Sequence, residues 1–233
     1  MKTRILQAFA GAWLALAATL ALAAGNISAT YAMFQNGQKV GEVSEHFTRE
    51  GNTYRIESET RAIGIYALFA RGAYKLTSRG EIGKEGLRPA HFEYQRGDDP
   101  AKRVTADFDW TKNTLTLTHD GKSETLPLEP GTQDRLSQNY QFMFIDHPQK
   151  TIAYAVTDGR SLNPSVFTLR GVERADTGQG AMKTLRYSRE HKPDEQAVDV
   201  WLAEARAYFP VRITLKKSES DVTEQVMTDL KLK

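Results

Sequence analysis

The amino-acid sequence predicts a mainly β fold, a curved antiparallel meander forming a barrel, half-barrel or sandwich, with one helix near the middle. Three observations carry this. Short segments of period-two hydrophobicity follow one another from Ile27 to Leu230, and that period sets successive side chains on opposite faces of a strand. Glycine, asparagine, aspartate and proline punctuate them at the roughly 8–12-residue spacing of an all-β domain. Clear helical spacing is confined to one stretch, so the strand–helix alternation of a parallel α/β sheet is missing.

Residues 1–24 read as a leader that is not part of the fold. Lys2 and Arg4 precede an apolar run from Ile5 to Leu22 that ends in Ala21, Ala23 and Ala24, the layout of a secretory signal peptide cut near Ala23 or Ala24. A retained membrane anchor is the rival, but an apolar run of about 18 residues is at the lower limit for a span, and the Ala-x-Ala ending favours cleavage. The expected location is therefore the periplasm, with the membrane involved only through the export signal and residues 25–233 forming a single β-rich domain. The chain contains no cysteine, so lipid attachment at the cut, disulfides and thiolate metal sites are all excluded. Stability must then come from an apolar core, for which the length is ample. The whole chain carries 31 basic and 29 acidic residues. Without Lys2 and Arg4 the charges balance, and no basic cluster follows a nucleic-acid backbone.

The first elements form a meander. Tyr31 to Phe34 leads into Asn36-Gly37, a strong hairpin signal because both positions favour positive φ. Val40 to Phe47 follows, with Val43, Glu45 and Phe47 on one face, and Gly51-Asn52 turns the chain into Tyr54 to Thr60. Ile63 to Gly72, the most hydrophobic stretch after the leader, has no clean period, and its glycines predict a short helix or bend. Its plainer interpretation is a connection buried against the core, its functional one an apolar rim at a cavity mouth. Tyr74 to Gly80 and Pro89 to Gln95 are joined through Gly83 and Gly86. A polar loop, Gln95 to Arg103, leads to Val104–Trp110 and Thr114–Thr118, where Leu115 and Leu117 face in. Asp120-Gly121 returns the chain through Ser123 to Leu128.

Pro130-Gly131 ends this run. Leu136, Tyr140 and Met143 then fall at i, i+4 and i+7 with Thr132 or Asp134 placed to cap, predicting a helix from Gln133 to about Phe144. Strands resume at Thr151–Thr157, Val166–Val172 and Met182–Ser188. In the hairpin Ala197 to Leu215, Val198, Val200 and Leu202 alternate with Ala197, Asp199 and Trp201, and Phe209, Val211, Ile213 and Leu215 alternate with Tyr208, Arg212 and Thr214. Pro210 gives no amide proton to a ladder, so the second arm begins there or faces an edge. One face of the hairpin is aliphatic, while the other carries Trp201 and Tyr208. Val222 to Leu230 suits a helix or a strand and is taken as a strand.

Catalytic and metal signals are weak. His46, His91, His119, His147 and His191 are isolated, without metal-ligand spacing; His147, beside Asp146 and Pro148, is the one worth locating. There is no Gly-x-Ser-x-Gly elbow, and Ser161 and Ser165 lie in a stretch whose turn composition accounts for them. Asp98-Asp99 and Asp107/Asp109 read as solvated carboxylates rather than a glycosidase pair. No glycine-rich phosphate loop is present, and no cofactor or metal is implied. What remains is surplus apolar surface. Ile65, Tyr66, Leu68, Phe69, Trp110, Trp201 and Tyr208 are the candidates for lining a site for a hydrophobic ligand, since curved antiparallel sheets commonly enclose one; the competing interpretation is that they fill the core.

The opening YAMFQNGQKVGEV, the segment GLRPAHFEY, the helix start GTQDRLSQNY and the hairpin VDVWLAEARAYFPVRI, behind an export signal, together resemble the exported bacterial proteins grouped as the domain of unknown function 3108 family. Gly41, Pro89, Asp134, Ser137, Trp201, Pro210 and Arg212 occupy its most characteristic positions. The resemblance implies fold and location and brings no activity with it. The Trp-turn-Pro hairpin is also distantly similar to the half-barrel sheets of periplasmic lipoprotein carriers, a likeness of fold alone. The expected function is non-enzymatic binding of a lipid, acyl chain or other apolar or amphiphilic ligand. A cell-envelope assembly protein that docks a protein partner is the second expectation, and a hydrolase of envelope polymers the third. Nucleic acid is not an expected partner.

Overall fold

The computed structural model describes residues 25–70, 72–97, 99–191 and 195–232. The expected leader, with its cut near Ala23 or Ala24, lies outside the described residues, as does Asp98. The strands are, in order, β1 (Asn26–Gln35), β2 (Gln38–Glu50), β3 (Thr53–Ala62), β4 (Tyr74–Gly83), β5 (Gly86–Arg96), β6 (Val104–Asp109), β7 (Thr114–His119), β8 (Lys122–Pro127), β9 (Gln133–Asp134), β10 (Thr151–Thr157), β11 (Leu162–Thr177), β12 (Gly180–Arg189), β13 (Ala197–Ala203), β14 (Phe209–Ser218) and β15 (Asp221–Leu232).

All belong to one 15-stranded sheet. Two antiparallel meanders, β1 to β8 and β10 to β15, join where β1 pairs with β15. β9 adds a two-residue parallel pairing to β10. β8 and β9 are the free edges, so the sheet curves without closing into a barrel. β15, which period alone left between helix and strand, is a central strand.

Local chemistry fixes the turns and bulges. Asn36 and Gly37 take φ of 50° and 79°, as a tight hairpin on right-twisted strands requires. Pro89 and Pro210 both stand beside shifts in ladder register, where a missing amide proton costs no bond. Their carbonyls are used as well: Trp110 Nε1 donates to Pro89 O at 2.6 Å, and the Tyr31 hydroxyl to Pro210 O at 2.9 Å. Gly41 is demanded by close approach, because a β-carbon there would lie 2.8 Å from Arg61 O.

The predicted helix is shorter than its periodicity suggests. It is α1 (Ser137–Gln141), followed by a 3-10 turn at Phe142–Phe144, and Gln133–Asp134 are strand instead of its first turn. Asp134 is the cause: its Oδ1 accepts from the amides of Leu136 and Ser137, both at 2.8 Å, so the helical turn starts beyond it. Leu136, Tyr140 and Met143 are buried, as their spacing requires.

α1 lies against the inner face of the sheet. The Tyr140 ring stacks on Phe47 of β2 at 5.4 Å and meets Phe209 of β14 edge-on at 5.6 Å, so one side chain ties the two meanders together. Gln141 bonds the β4–β5 turn, accepting from Leu87 N at 2.7 Å and donating to Glu85 O at 2.7 Å. A second apolar cluster, built on Phe142, Ile152, Phe167, Leu185, Tyr187, Val198, Val200 and Leu202, lies within the second meander.

The stretch from Ile63 to Gly72 departs from its plainer interpretation as a buried connection. Gly64–Leu68 form a 3-10 turn beyond β3, with Ile65, Leu68 and Phe69 exposed by 67%, 80% and 84%. The turn is tied at its base, Ile63 N to Val40 O at 3.0 Å and the Tyr66 hydroxyl to Gln38 Oε1 at 2.7 Å, which holds the apolar side chains out from the sheet. Hydrophobic content without a period does not reveal which way such a turn points.

Candidate ligand-binding groove

The second meander turns an apolar face toward α1, and α1 is too short to cover it. A five-residue helix is about 7.5 Å long, whereas six strands at their usual spacing span about 24 Å. The uncovered part is a groove of about 350 Å³. Its floor is Phe167, Val198, Val200, Ile213 and Leu215, and Arg135, Gln138, Asn139 and Phe142 hang over it from α1 and its flanks.

Strand register gives this groove a charged end and a mainly aliphatic end, the latter bordered by Gln225, the cross-strand partner of Ile213. Phe167, Arg189, Val198 and Leu215 are successive cross-strand partners, so Arg189 stands in the same row as three apolar side chains. Gln196 precedes that row, and the Val200–Ile213 pair follows one pleat repeat further along, about 7 Å. Asn163, Asp158 and Gln196 complete the polar rim.

Two groups in it are poorly served. Ser165 is 3% exposed, and its hydroxyl finds no hydrogen-bond partner among the described residues, a state that costs free energy in a buried polar group. The Arg189 guanidinium donates to Gln196 O at 2.9 Å, and burial pushes its pKa down against the opposing pull of the Glu195 charge. Asp158, by contrast, is a turn acceptor: its Oδ1 receives Arg160 N at 2.9 Å and Ser161 N at 3.0 Å.

The roof is pinned by two buried carboxyl groups, neither of them in an ion pair among the described residues. Glu45 receives the Tyr140 hydroxyl at 3.0 Å and the Ser58 hydroxyl at 3.2 Å. Asp134 Oδ2 receives the Ser78 hydroxyl at 2.5 Å, and Ser78 also contacts the Tyr54 hydroxyl at 3.2 Å. Burial raises Glu45 to about 7 and Asp134 to about 6, with the donated hydrogen bonds pulling the other way.

The seven residues singled out from the sequence occupy four places. Ile65, Tyr66, Leu68 and Phe69 are in the projecting turn. Trp110, at the end of β6, stacks on Phe108 at 6.1 Å under the Arg88 guanidinium and borders a second groove of about 590 Å³ with Gln133, Gln141, Ile145 and Tyr154. Trp201 is flanked by Arg186 and Arg212, its register partners, at 5.3 and 5.1 Å from its ring, and its Nε1 donates to Glu173 Oε2 at 3.1 Å. That is cation–π packing on an ion-paired outer face, which accounts for Trp201 and Arg212 as a pair. Tyr208 stacks at 4.2 Å on His147, and burial pushes the His147 pKa below its ordinary value.

The residues lining the 350 Å³ groove escaped sequence reading except as an aliphatic hairpin face. Val200, Ile213 and Leu215 were legible as that face, but Arg135, Ser165 and Arg189 reach it through long-range register. Glu45 had a signal: it shares a period-two face with Val43 and Phe47, which are both buried, and a carboxylate in such a row is either buried or breaks the strand.

The family described as "Protein of unknown function (DUF3108)" matches residues 29–227. No curated protein matches. Among solved structures, a candidate lipoprotein from Parabacteroides distasonis is similar at 9% identity and a TM-score of 0.37, over 89% of this chain and 95% of that one. A candidate exported protein with a YmcC-like fold from Bacteroides fragilis is similar at 12% identity and a TM-score of 0.37, with the same coverage of 89% and 95%.

Proposed function

This chain belongs to the DUF3108 family, and on that premise we propose that it is a periplasmic, non-enzymatic protein that binds a hydrophobic or amphiphilic molecule, such as a lipid or acyl chain, in the groove beside α1. The observation that carries this is the partly uncovered apolar floor. Ile213 and Leu215 are only half-buried although they continue the row of the buried Val198 and Val200, and a concavity of about 350 Å³ with an apolar floor and polar walls is within the range of small-molecule sites. Filling the groove tests it. Ile213→Trp is expected to weaken binding of the neutral fluorophore N-phenyl-1-naphthylamine at least about tenfold while the urea midpoint moves by no more than the overpacking of one side chain, about 1–3 kcal/mol. Unchanged fluorophore affinity in a folded variant overturns the reading. Native mass spectrometry of protein purified without detergent, with organic extraction, identifies any bound species.

A second reading, an envelope assembly protein that docks a protein partner, is favoured by one observation: the exposed apolar side chains of the projecting turn, a surface of the kind that marks interaction sites. Leu68→Ser with Phe69→Ser is expected to leave stability within about 0.5 kcal/mol and to abolish capture of a partner from envelope extracts. Retention of that partner by the double variant counts against it.

A further inference from the structure

We propose that the groove selects single-chain amphiphiles with an anionic head, a carboxylate or a phosphate, seated between Arg189 and Arg135 with the chain running over Val198 toward Val200 and Ile213. The inference rests on the binding role argued above and adds the chemistry of the ligand. It begins from the row that Arg189 occupies. A guanidinium whose cross-strand partners are Phe167 and Val198 is a cation half-withdrawn from water beside an apolar strip, and a buried cation gains most from an anion that enters with it. Its hydrogen bond to Gln196 O occupies part of a fork that has five donors. Arg135 is exposed on the α1 side of the same groove, and no ion pair of its side chain is found among the described residues.

Asp158 also borders the groove, but its Oδ1 is committed to the Arg160 and Ser161 amides and the Ser161 hydroxyl. Glu195 acts on Arg189 from the neighbouring loop and does not line the groove. The charged groups lining the groove are thus two guanidinium groups and one committed carboxylate, while Glu190 and Glu195 stand with Arg189 on the neighbouring cleft. Ser165, buried with an unpartnered hydroxyl on the same lining, supplies a hydrogen-bond donor that an anionic oxygen would satisfy and a hydrocarbon would not.

The order of groups matches one kind of molecule. From Gln196 through Val198 to Val200 the lining changes from polar to apolar within two pleat repeats, about 14 Å. A head at the Arg189 end and a tail at the Val200 end fits that gradient, whereas a wholly apolar ligand would leave the hydroxyl of Ser165 and the fork of Arg189 facing hydrocarbon.

The test is displacement of N-phenyl-1-naphthylamine from the full-length mature protein by dodecanoate, dodecyl phosphate, dodecanol and dodecylammonium, each below its micellar concentration and at two salt concentrations. Dodecanoate or dodecyl phosphate should displace the fluorophore at least about tenfold more effectively than dodecanol, with dodecylammonium the weakest, and the advantage should shrink in high salt. Preference between the two anions distinguishes a fatty-acid source from a phospholipid one. Arg135→Gln with Arg189→Gln should erase the anionic advantage, so that within that variant dodecanoate and dodecyl phosphate displace the fluorophore no better than dodecanol. Equal displacement by dodecanol and dodecanoate overturns the anionic assignment while leaving amphiphile binding intact. An advantage that survives in the double variant overturns the residue assignment, and failure of all four to displace the fluorophore overturns the binding role itself.

Discussion

Replacing Asp134 with alanine is expected to destabilise the protein by about 4 kcal/mol. Its carboxyl is fully buried and accepts from the Leu136 and Ser137 amides and the Ser78 hydroxyl. Alanine would leave the two amides without that acceptor, each buried donor so orphaned costing about 1–3 kcal/mol, while the Ser78 hydroxyl loses one partner and keeps the Tyr54 hydroxyl. The loss is not confined to one turn. Asp134 starts α1, and α1 carries Tyr140, the ring packed between Phe47 and Phe209, so a frayed start loosens the contact between the meanders and removes the groove's roof. Asp134→Asn keeps a side-chain carbonyl for the two amides and should cost much less, about 1–2 kcal/mol. Urea unfolding followed by tryptophan fluorescence measures both. An alanine variant within about 1 kcal/mol of the parent would show that the start of α1 is held by packing alone.

Much of this architecture was legible because period two and turn chemistry are local. Asn36-Gly37, Asp120-Gly121, the inward Leu115 and Leu117 and the start of β14 beside Pro210 all follow from rules that act within a few residues, whereas the bulge that seats Pro210 in an interior strand does not. The helix was legible in its spacing, and Asp134 was named as one of two possible caps. Its shortness has two causes, the Asp134 side chain that accepts the Leu136 and Ser137 amides and the pairing of Gln133 and Asp134 with Val156 and Thr157 of β10, and only the first is local. The groove was hidden by long-range pairing of the second kind: Arg189 becomes a wall residue only when β11, β12 and β13 are in register. Trp201 and Tyr208 are large aromatics on one hairpin, yet their rings are covered by arginines and by His147. Aromatic size signals burial more reliably than it signals a ligand.

The same buried carboxyls make stability depend on pH with a sign opposite to that of an ordinary salt-bridged acid. Below about pH 4.5 Glu45 is protonated in the folded and unfolded chains alike, and its full contribution is present. As the pH rises toward about 7 the unfolded chain releases this proton while the folded one holds it, so stability falls; above that the folded carboxyl ionises too and the loss levels off. Raising Glu45 from 4.5 to about 7 corresponds to about 3 kcal/mol over the window, at about 1.4 kcal/mol per unit. Asp134 acts in the same sense between 3.8 and about 6. His147, pushed below 6.5 by burial, acts in the other sense: its contribution is present above 6.5 and lost as the pH falls. Comparing the parent with Glu45→Gln isolates Glu45, since the remaining groups are common to both proteins and distant contributions largely cancel in the difference. The amide keeps an acceptor for Ser58 and offers a donor to Tyr140, whose hydroxyl can accept as well as donate. Glu45→Gln should therefore match the parent near pH 4.5 and exceed it by about 3 kcal/mol near pH 8, as read from urea midpoints across that range. Parallel pH profiles for the two proteins would mean that Glu45 is not held protonated in the fold, and that the Tyr140 hydroxyl is bound by a carboxylate whose charge the interior accommodates.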